Sequence, residues 1–323
     1  MAKAVRFHRQ GGPELMQYED VPVGEPGPGE VRIRHTAVGV NFIDVYQRAG
    51  IYPVPLPGIA GNEGAAVVEA VGAGVADLKI GDRVAYTGLP GSYCDARIVP
   101  GNRMVKLPQG IADEQAASMM LKGLTVHYLI HSTYPVKRGE TVLWHAAAGG
   151  VGVIACQWLE ALGVTVIGTV GSQEKAAIAK AHGATHIVDY ARENFVERVK
   201  ALTDGKGVPV VYDGVGAATW EGSLDCLRPR GLMVQFGAAS GAVPPVNLGI
   251  LAAKGSLYVT RPTLATHIAS RADLVERANS LFEMVTSGKV KIAPSREYAL
   301  ADAQQAHRDL EARKTTGSII LRP

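Results

Sequence analysis

The sequence predicts an α/β protein in two parts, one β-rich and one a doubly wound parallel sheet. Three observations carry this. From Thr141 to Phe236, short apolar runs alternate with segments of helical period, the pattern of a parallel sheet covered by helices. Before Gly110 the apolar runs are short and separated by Gly and Pro, the pattern of an irregular barrel. The length, 323 residues, suits two domains.

The first part begins with a short strand at Lys3–Phe7, and Gly24–Gly29 is a turn-rich loop. Glu30 to Val38 alternates apolar and polar, as a half-buried strand does. Asn41–Gln47 is a short helix, and Pro53, Pro55 and Pro57 stiffen the loop after it. Ala65–Val71 and Asp82–Thr87 are further strands. Asp113 caps a helix through Met120, and Leu121–Ser132 is a second helix.

The stretch that organises the chain follows. Thr141–Ala146 is β-prone, and from Val151 the apolar residues Ile154, Ala155, Trp158, Leu159 and Leu162 keep helical spacing until Gly163. Between them lies Ala147-x-Gly149-x-x-Gly152, a dinucleotide fingerprint with Ala in the first glycine position. A pyrophosphate rests on backbone N–H groups at a helix N-terminus, where side chains would block it. Small-residue turns also serve packing alone; the strand before and the helix after favour the nucleotide reading. The second strand, Val164–Val170, ends in Gly171-Ser172-Gln173 with no carboxylate for a ribose hydroxyl, and Lys175 follows. That suits a 2′-phosphate, so NADPH is expected over NADH.

The alternation continues with helix Gln173–His182, strand His186–Asp189, helix Asn194–Leu202, strand Val208–Tyr212, helix Trp220–Leu227 and strand Gly231–Phe236. Ser256–Val259 is a late strand that closes the sheet at an edge. Helices Ala272–Ser287 and Asp302–Ala312 and strand Ser318–Leu321 then return to the first part, whose own strands are too few to close a barrel. The domains are therefore expected at 1–125 with 262–323, and at 126–261.

Composition excludes several classes. The chain is 47% apolar and 20% charged, ordinary for a soluble protein, and its net charge of +3 argues for neither nucleic acid nor membrane. Cys94, Cys156 and Cys226 form no CxxC or zinc spacing, and a reducing compartment fits them. No signal peptide or membrane span is expected, which places the protein in the cytoplasm. His127 and His131 share a helix face, but a zincin glutamate and a third ligand are missing; with His182 and His186 they read as structural or surface residues.

Taken together, Gly27-Pro-Gly-Glu-Val31, Gly39-Val-Asn-Phe-Ile-Asp44, Gly61-Asn-Glu-Gly64, Gly81-Asp-Arg-Val84, Ala146–Gly152, Asp213-Gly-Val-Gly216 and Arg230-Gly-Leu232 resemble the zinc-free quinone oxidoreductases of the medium-chain dehydrogenase/reductase superfamily, the group that contains ζ-crystallin. The resemblance covers essentially the whole chain. It implies a GroES-like catalytic domain, a Rossmann domain, a cofactor cleft between them and a homodimer, here through Rossmann edge strands. Where zinc enzymes of the superfamily carry Cys and His, this chain has Asn41 and Asn62. Hydride delivery to a quinone needs no Lewis acid, only oriented rings and hydrogen-bond donors.

By the same resemblance, Asn41, Tyr46 and Tyr52 line the substrate site, and Asp44, one turn before Arg48, orients this loop. The cofactor contacts implied are Ala148, Gly149, Gly150, Val151 and Gly152 at the pyrophosphate, and Gly171, Ser172, Lys175 and Tyr190 at the 2′-phosphate and adenosine. Gly214, Phe236 and Arg261 would meet the remainder; many relatives have Ser in place of Gly214. Reduction of α,β-unsaturated carbonyls is the alternative activity, with Tyr46 or Tyr52 as proton donor. A non-catalytic or RNA-binding role is disfavoured by the 6% aromatic content and interleaved charges.

Overall fold

The two hydrophobic patterns become two units in the structure, a computed structural model that describes residues 1–323 throughout. The first comprises 1–124, 268–286 and 292–323, and the second 125–267 and 287–291. In the first, β1 (Ala2–Phe7) pairs antiparallel with β2 (Met16–Val21), a strand that periodicity hides because only its end residues are buried. There follow β3 (Glu30–Val40), α1 (Phe42–Arg48), β4 (Gly58–Ile59), β5 (Glu63–Val71), β6 (Arg83–Thr87), β7 (Ala96–Pro100) and β8 (Val105–Lys106). The next helix corrects an expectation. Asp113 to Tyr128 is one helix, α2, continued by a π-helical turn over Leu129–Thr133, with no break near Met120. Gly123 does not interrupt it: a Cβ there would come within 2.6 Å of Leu281, so the glycine admits that side chain.

The second unit alternates strand and helix: β9 (Thr141–Trp144), α3 (Gly150–Ala161), β10 (Thr165–Val170), α4 (Gln173–Ala181), β11 (His186–Asp189), α5 (Phe195–Leu202), β12 (Val208–Asp213), α6 (Trp220–Asp225), β13 (Leu227–Gln235), α7 (Gly249–Ala253), β14 (Tyr258–Thr260) and α8 (Leu264–His267). Its sheet is wholly parallel, in the order β11-β10-β9-β12-β13-β14. Every residue of β12 is buried, which is why that run reads as continuously apolar up to Tyr212. Leu143, Ile167, Val188, Val211 and Met233, one from each of five adjacent strands, form its core with Val199, Leu224 and Leu257.

The chain then adds α9 (Arg271–Thr286), β15 (Pro294–Ala299), α10 (Ala303–Glu311) and β16 (Ser318–Arg322). β16 lies antiparallel on β3, giving the order β15-β16-β3-β5-β6-β8 with β7 also paired to β3. The last strand thus completes the first unit's sheet. Ala303 and Ala306 of α10 pack with Phe7, Met16, Val40 and Tyr93, while Val31, Ile33, Val68, Val84 and Met104 form a second cluster. No helix is long and apolar enough to cross a membrane.

Candidate active site

The fingerprint turn is tighter than its sequence suggests. β9 ends at Trp144, and the chain reverses through Ala146, which has φ +55°. Few non-glycine residues adopt that left-handed backbone, and a β-branched one would be strained there. The turn is pinned on both sides, His145 N–H donating to Tyr212 O and Ala147 N–H to Thr169 O, each at 3.0 Å. α3 starts at Gly150, one residue earlier than its apolar spacing indicates, with Gly149 as N-cap.

No side chain caps the first turn of α3, so its N–H groups keep their capacity for an external acceptor. A Cβ on Gly152 would lie 2.5 Å from Ala146 O and 2.6 Å from Ala147 O. Ala148 is buried, and Gly150 and Val151 are half-buried. This shape fits a pyrophosphate: bare donors, a positive helix end, and small residues wherever the backbone closes on itself.

A buried polar network lies beside the turn. His145 Nδ1 meets Thr169 Oγ1 and its Nε2 meets Ser223 Oγ, both at 2.9 Å. Ser223 spends its hydroxyl hydrogen on Asp213 Oδ2, so His145 donates through Nε2 and accepts through Nδ1. Burial pushes this imidazole's pKa down, partly opposed by Asp213. Asp213 also accepts from Thr219 Oγ1 at 2.6 Å and from the N–H groups of Val215 and Gly216 at 2.7 and 3.0 Å. The residue ending β12 therefore shapes the next loop from inside. Gly214 is bare because the Phe236 ring occupies its side: a Cβ would meet the ring at 3.1 Å. Phe236 leans on Trp144, and Arg261 Nη1 donates to Gln235 O at 3.3 Å.

At the tip of β10, Ser172 caps α4 by accepting from Lys175 N–H at 3.3 Å. Tyr190 is half exposed, and a Cβ on Gly171 would meet its hydroxyl at 2.5 Å, so Gly171 lets Tyr190 lie against the strand tip. Two carboxylates stand at this edge, Asp189 and Glu193, and Glu193 Oε1 accepts the Asp189 N–H at 3.3 Å. Asp189 pairs in register with Val170, but it accepts from Gln173 Nε2 and Ala191 N–H and faces Arg192.

In the first unit, α1 carries the other predicted residues. Asn41 is its N-cap, and Asp44 Oδ2 accepts the Asn41 N–H at 2.9 Å, the return arm of a capping box. Tyr46 meets Tyr52 edge-on at 5.4 Å, and the N–H groups of Ile51 and Tyr52 both donate to Tyr46 O, which folds the loop back on the helix. Asp44 faces inward. Asn62 Nδ2 donates to its Oδ1 at 2.7 Å and Tyr93 Oη to its Oδ2 at 3.0 Å. Burial still lifts its carboxyl to about 7 against these donors. Arg48 pairs with Glu311 at 2.7 Å, so it is Asn62 and Tyr93, not Arg48, that hold Asp44. Sequence reasoning passed over Glu63 and Lys122, an ion pair of 3.0 Å beneath Asn41, and Tyr93. The available signal was a lone charge in each of two apolar runs, Glu63–Val68 and Ala116–Val126. No three His, Cys, Asp or Glu side chains converge as metal ligands.

A GroES-like sheet joined to a parallel nucleotide-binding sheet with a capless fingerprint turn defines a medium-chain dehydrogenase. Two family models match: an alcohol dehydrogenase GroES-like domain over residues 27–109 and a zinc-binding dehydrogenase over 150–279. A quinone oxidoreductase of Pseudomonas aeruginosa is 55% identical, with 100% of each chain covered. A 2-haloacrylate reductase of a Burkholderia species is 45% identical over 100% of this chain and 99% of that one. The crystal structure of Escherichia coli quinone oxidoreductase complexed with NADPH superposes with a TM-score of 0.97 at 50% identity, covering 99% of this chain and 100% of that one. The chain belongs to the quinone oxidoreductases of the medium-chain dehydrogenase/reductase superfamily.

Proposed function

We propose that this protein is an NADPH-dependent quinone reductase. The observation that carries the reading is the donor set around α1. Asn41 and Asn62, at the positions expected to supply a thiolate and an imidazole in zinc relatives, are amides hydrogen-bonded to carboxylates, and the phenols of Tyr46 and Tyr52 are in contact beside them. Asn62 spends both amide hydrogens inside the protein, on Asp44 Oδ1 at 2.7 Å and Gln47 Oε1 at 2.6 Å, so the hydrogen bonds left for a substrate come from Asn41, Tyr46 and Tyr52, and these suffice for an acceptor that is already electrophilic. The nucleotide supplies the hydride equivalent when bound. Gly149 to Gly152 receive its pyrophosphate, Ser172 and Lys175 its 2′-phosphate, and Tyr190 its adenosine; Ala148, Gly171, Gly214, Phe236 and Arg261 complete that wall. Cofactor binding belongs to residues 126–261, and 1–125 with 262–323 form the catalytic domain. Asn41, Tyr46 and Tyr52 meet the substrate oxygen, and Asp44 orients α1.

The test is kcat/KM for a benzoquinone, an enone and a simple alcohol under one set of conditions. The quinone is expected to win. Efficient alcohol oxidation would overturn the reading. A large preference for the enone would favour the second reading, an α,β-unsaturated carbonyl reductase, which the 2-haloacrylate reductase relative supports. Lys175→Ala is expected to weaken NADPH by about 1–3 kcal/mol, as for a charge-assisted bond, and to leave NADH unchanged. Equal losses for the two cofactors, by fluorescence titration, would remove Lys175 from the 2′-phosphate site.

The protein is further proposed to be a cytoplasmic homodimer. Its three cysteines are buried and unbridged, as suits a reducing compartment. β14 is an edge strand with Tyr258 60% exposed, and pairing two such edges across a two-fold axis would cover both. Sedimentation at micromolar concentration should give a dimer, and Val259→Lys should shift it to monomer.

A further inference from the structure

We infer that Glu63 sets the direction of the Asn41 amide while Asn62 anchors the same helix turn through Asp44, a two-point clamp in which Glu63 and its counter-ion Lys122 are positioning residues for the reaction. The inference rests on the proposed role of Asn41 at the substrate oxygen. Asn62, just before β5, and Glu63, its first residue, hold the first turn of α1 at two points. Asn62 Nδ2 donates to Asp44 Oδ1 at 2.7 Å, and Asn41 Nδ2 donates to Glu63 Oε1 at 2.7 Å. Glu63 is fully buried, and three donors converge on its carboxylate. Asn41 Nδ2 and Lys122 Nζ (3.0 Å) reach Oε1, and Leu121 N–H (2.6 Å) reaches Oε2.

A carboxylate holding three donors is acceptor-only, so it can receive only the nitrogen side of the Asn41 amide. An asparagine amide otherwise turns over freely between a donor and an acceptor face. Here one Nδ2 hydrogen is committed to Glu63, and the second remains on the same fixed nitrogen for a ligand oxygen. The amide is thereby set as a donor, the polarity needed where negative charge grows on a reduced carbonyl oxygen. Lys122 keeps Glu63 from standing as an uncompensated buried charge. Gly39 makes the room: a Cβ there would collide with both Glu63 Oε1 and Ala117 O. The short motifs around Gly39, Asn41 and Asn62-Glu63 are thus parts of one device.

The test is a double-mutant cycle on kcat. Replacing the ion pair by apolar residues of similar size, Glu63→Met with Lys122→Met, removes the acceptor without stranding a charge, an exchange that folded proteins often accept. It is made in the wild-type and Asn41→Ala backgrounds. Glu63→Asp, which keeps the charge but shortens its reach, is a second variant should the first fail to fold. With Asn41 present, either change should lower kcat on a benzoquinone by about ten- to a hundredfold, the scale of a misplaced catalytic contact, with NADPH affinity unchanged. With Asn41→Ala, neither should lower kcat further. Equal losses in both backgrounds, or wild-type kcat in a folded variant that keeps Asn41, would overturn the clamp. Wild-type kcat in Asn41→Ala alone would overturn the proposed role of Asn41, and the clamp with it.

Discussion

Gly152→Val is expected to abolish tight NADPH binding, by about a hundredfold or more. A Cβ at this position would fall 2.5 Å from Ala146 O and 2.6 Å from Ala147 O, both backbone atoms of the turn itself. Neither can move alone, because His145 and Ala147 are hydrogen-bonded to β12 and β10. The helix must therefore back away from the turn, taking its first N–H groups with it. Overpacking of this kind costs about 1–3 kcal/mol where a site can adjust, and about 3 kcal/mol corresponds to roughly a hundredfold in affinity. Gly149→Ala provides the graded comparison. Its Cβ would meet Ala146 O at 3.2 Å, a contact that a small shift relieves. Fluorescence titration should rank wild type, Gly149→Ala and Gly152→Val in falling affinity. Wild-type affinity in Gly152→Val would show that the closeness of helix and turn does not matter to the cofactor.

The parallel sheet was legible because buried strands and amphipathic helices write different periods. The fingerprint turn was legible because its glycines fall between a strand and a helix, the context that favours nucleotide binding over packing alone. Where the reading slipped, a tertiary contact had replaced a local signal. α2 is a single helix whose Gly123 answers to Leu281 of α9, far along the chain. β2 shows two buried residues in six and offers no alternation to count. The same holds at the site. Asn41, Tyr46 and Tyr52 could be named from a motif, but the Glu63–Lys122 pair that lies under Asn41 joins positions separated by almost sixty residues. Asp44 and Arg48, one turn apart on a helix, invite pairing by proximity. The fold instead gives Arg48 to Glu311 and Asp44 to Asn62 and Tyr93. Hydrophobic periodicity reports which face is buried; it carries no information about which buried polar group meets which.

Acidification should unfold the protein through its buried histidines, with a signature that Asp44 makes recognisable. Burial pushes both His35 and His307 down to about 3. His35 is held neutral, with Nδ1 on Cys94 O and Nε2 on the Tyr86 hydroxyl, each at 2.7 Å. His307 Nε2 meets the Tyr93 hydroxyl at 3.1 Å. In the unfolded chain each would take up a proton near pH 6.5. Their contribution is therefore complete above about 6.5 and drains as pH falls toward 3, at about 1.4 kcal/mol per pH unit for each. Asp44 has the opposite sign. Its folded value of about 7 lies above the ordinary carboxylate value, so its contribution is complete below about 4 and lost as pH rises through 7. Between pH 6.5 and 4 it offsets one histidine, leaving a net loss of about 1.4 kcal/mol per unit from these three groups; below about 4 the offset ends and the slope steepens. His145, also depressed by burial, adds in the same direction as the other two histidines. Asp44→Asn should steepen the acid slope above pH 4 by about 1.4 kcal/mol per unit, and His35→Gln should flatten it by the same amount. Denaturant unfolding at pH 7.5, 6.0 and 5.0, each variant compared with its own stability at pH 7.5, reads both changes. Parallel curves for all three proteins would mean that these groups titrate alike in the folded and unfolded chain, and burial would not be what keeps His35 neutral or Asp44 protonated.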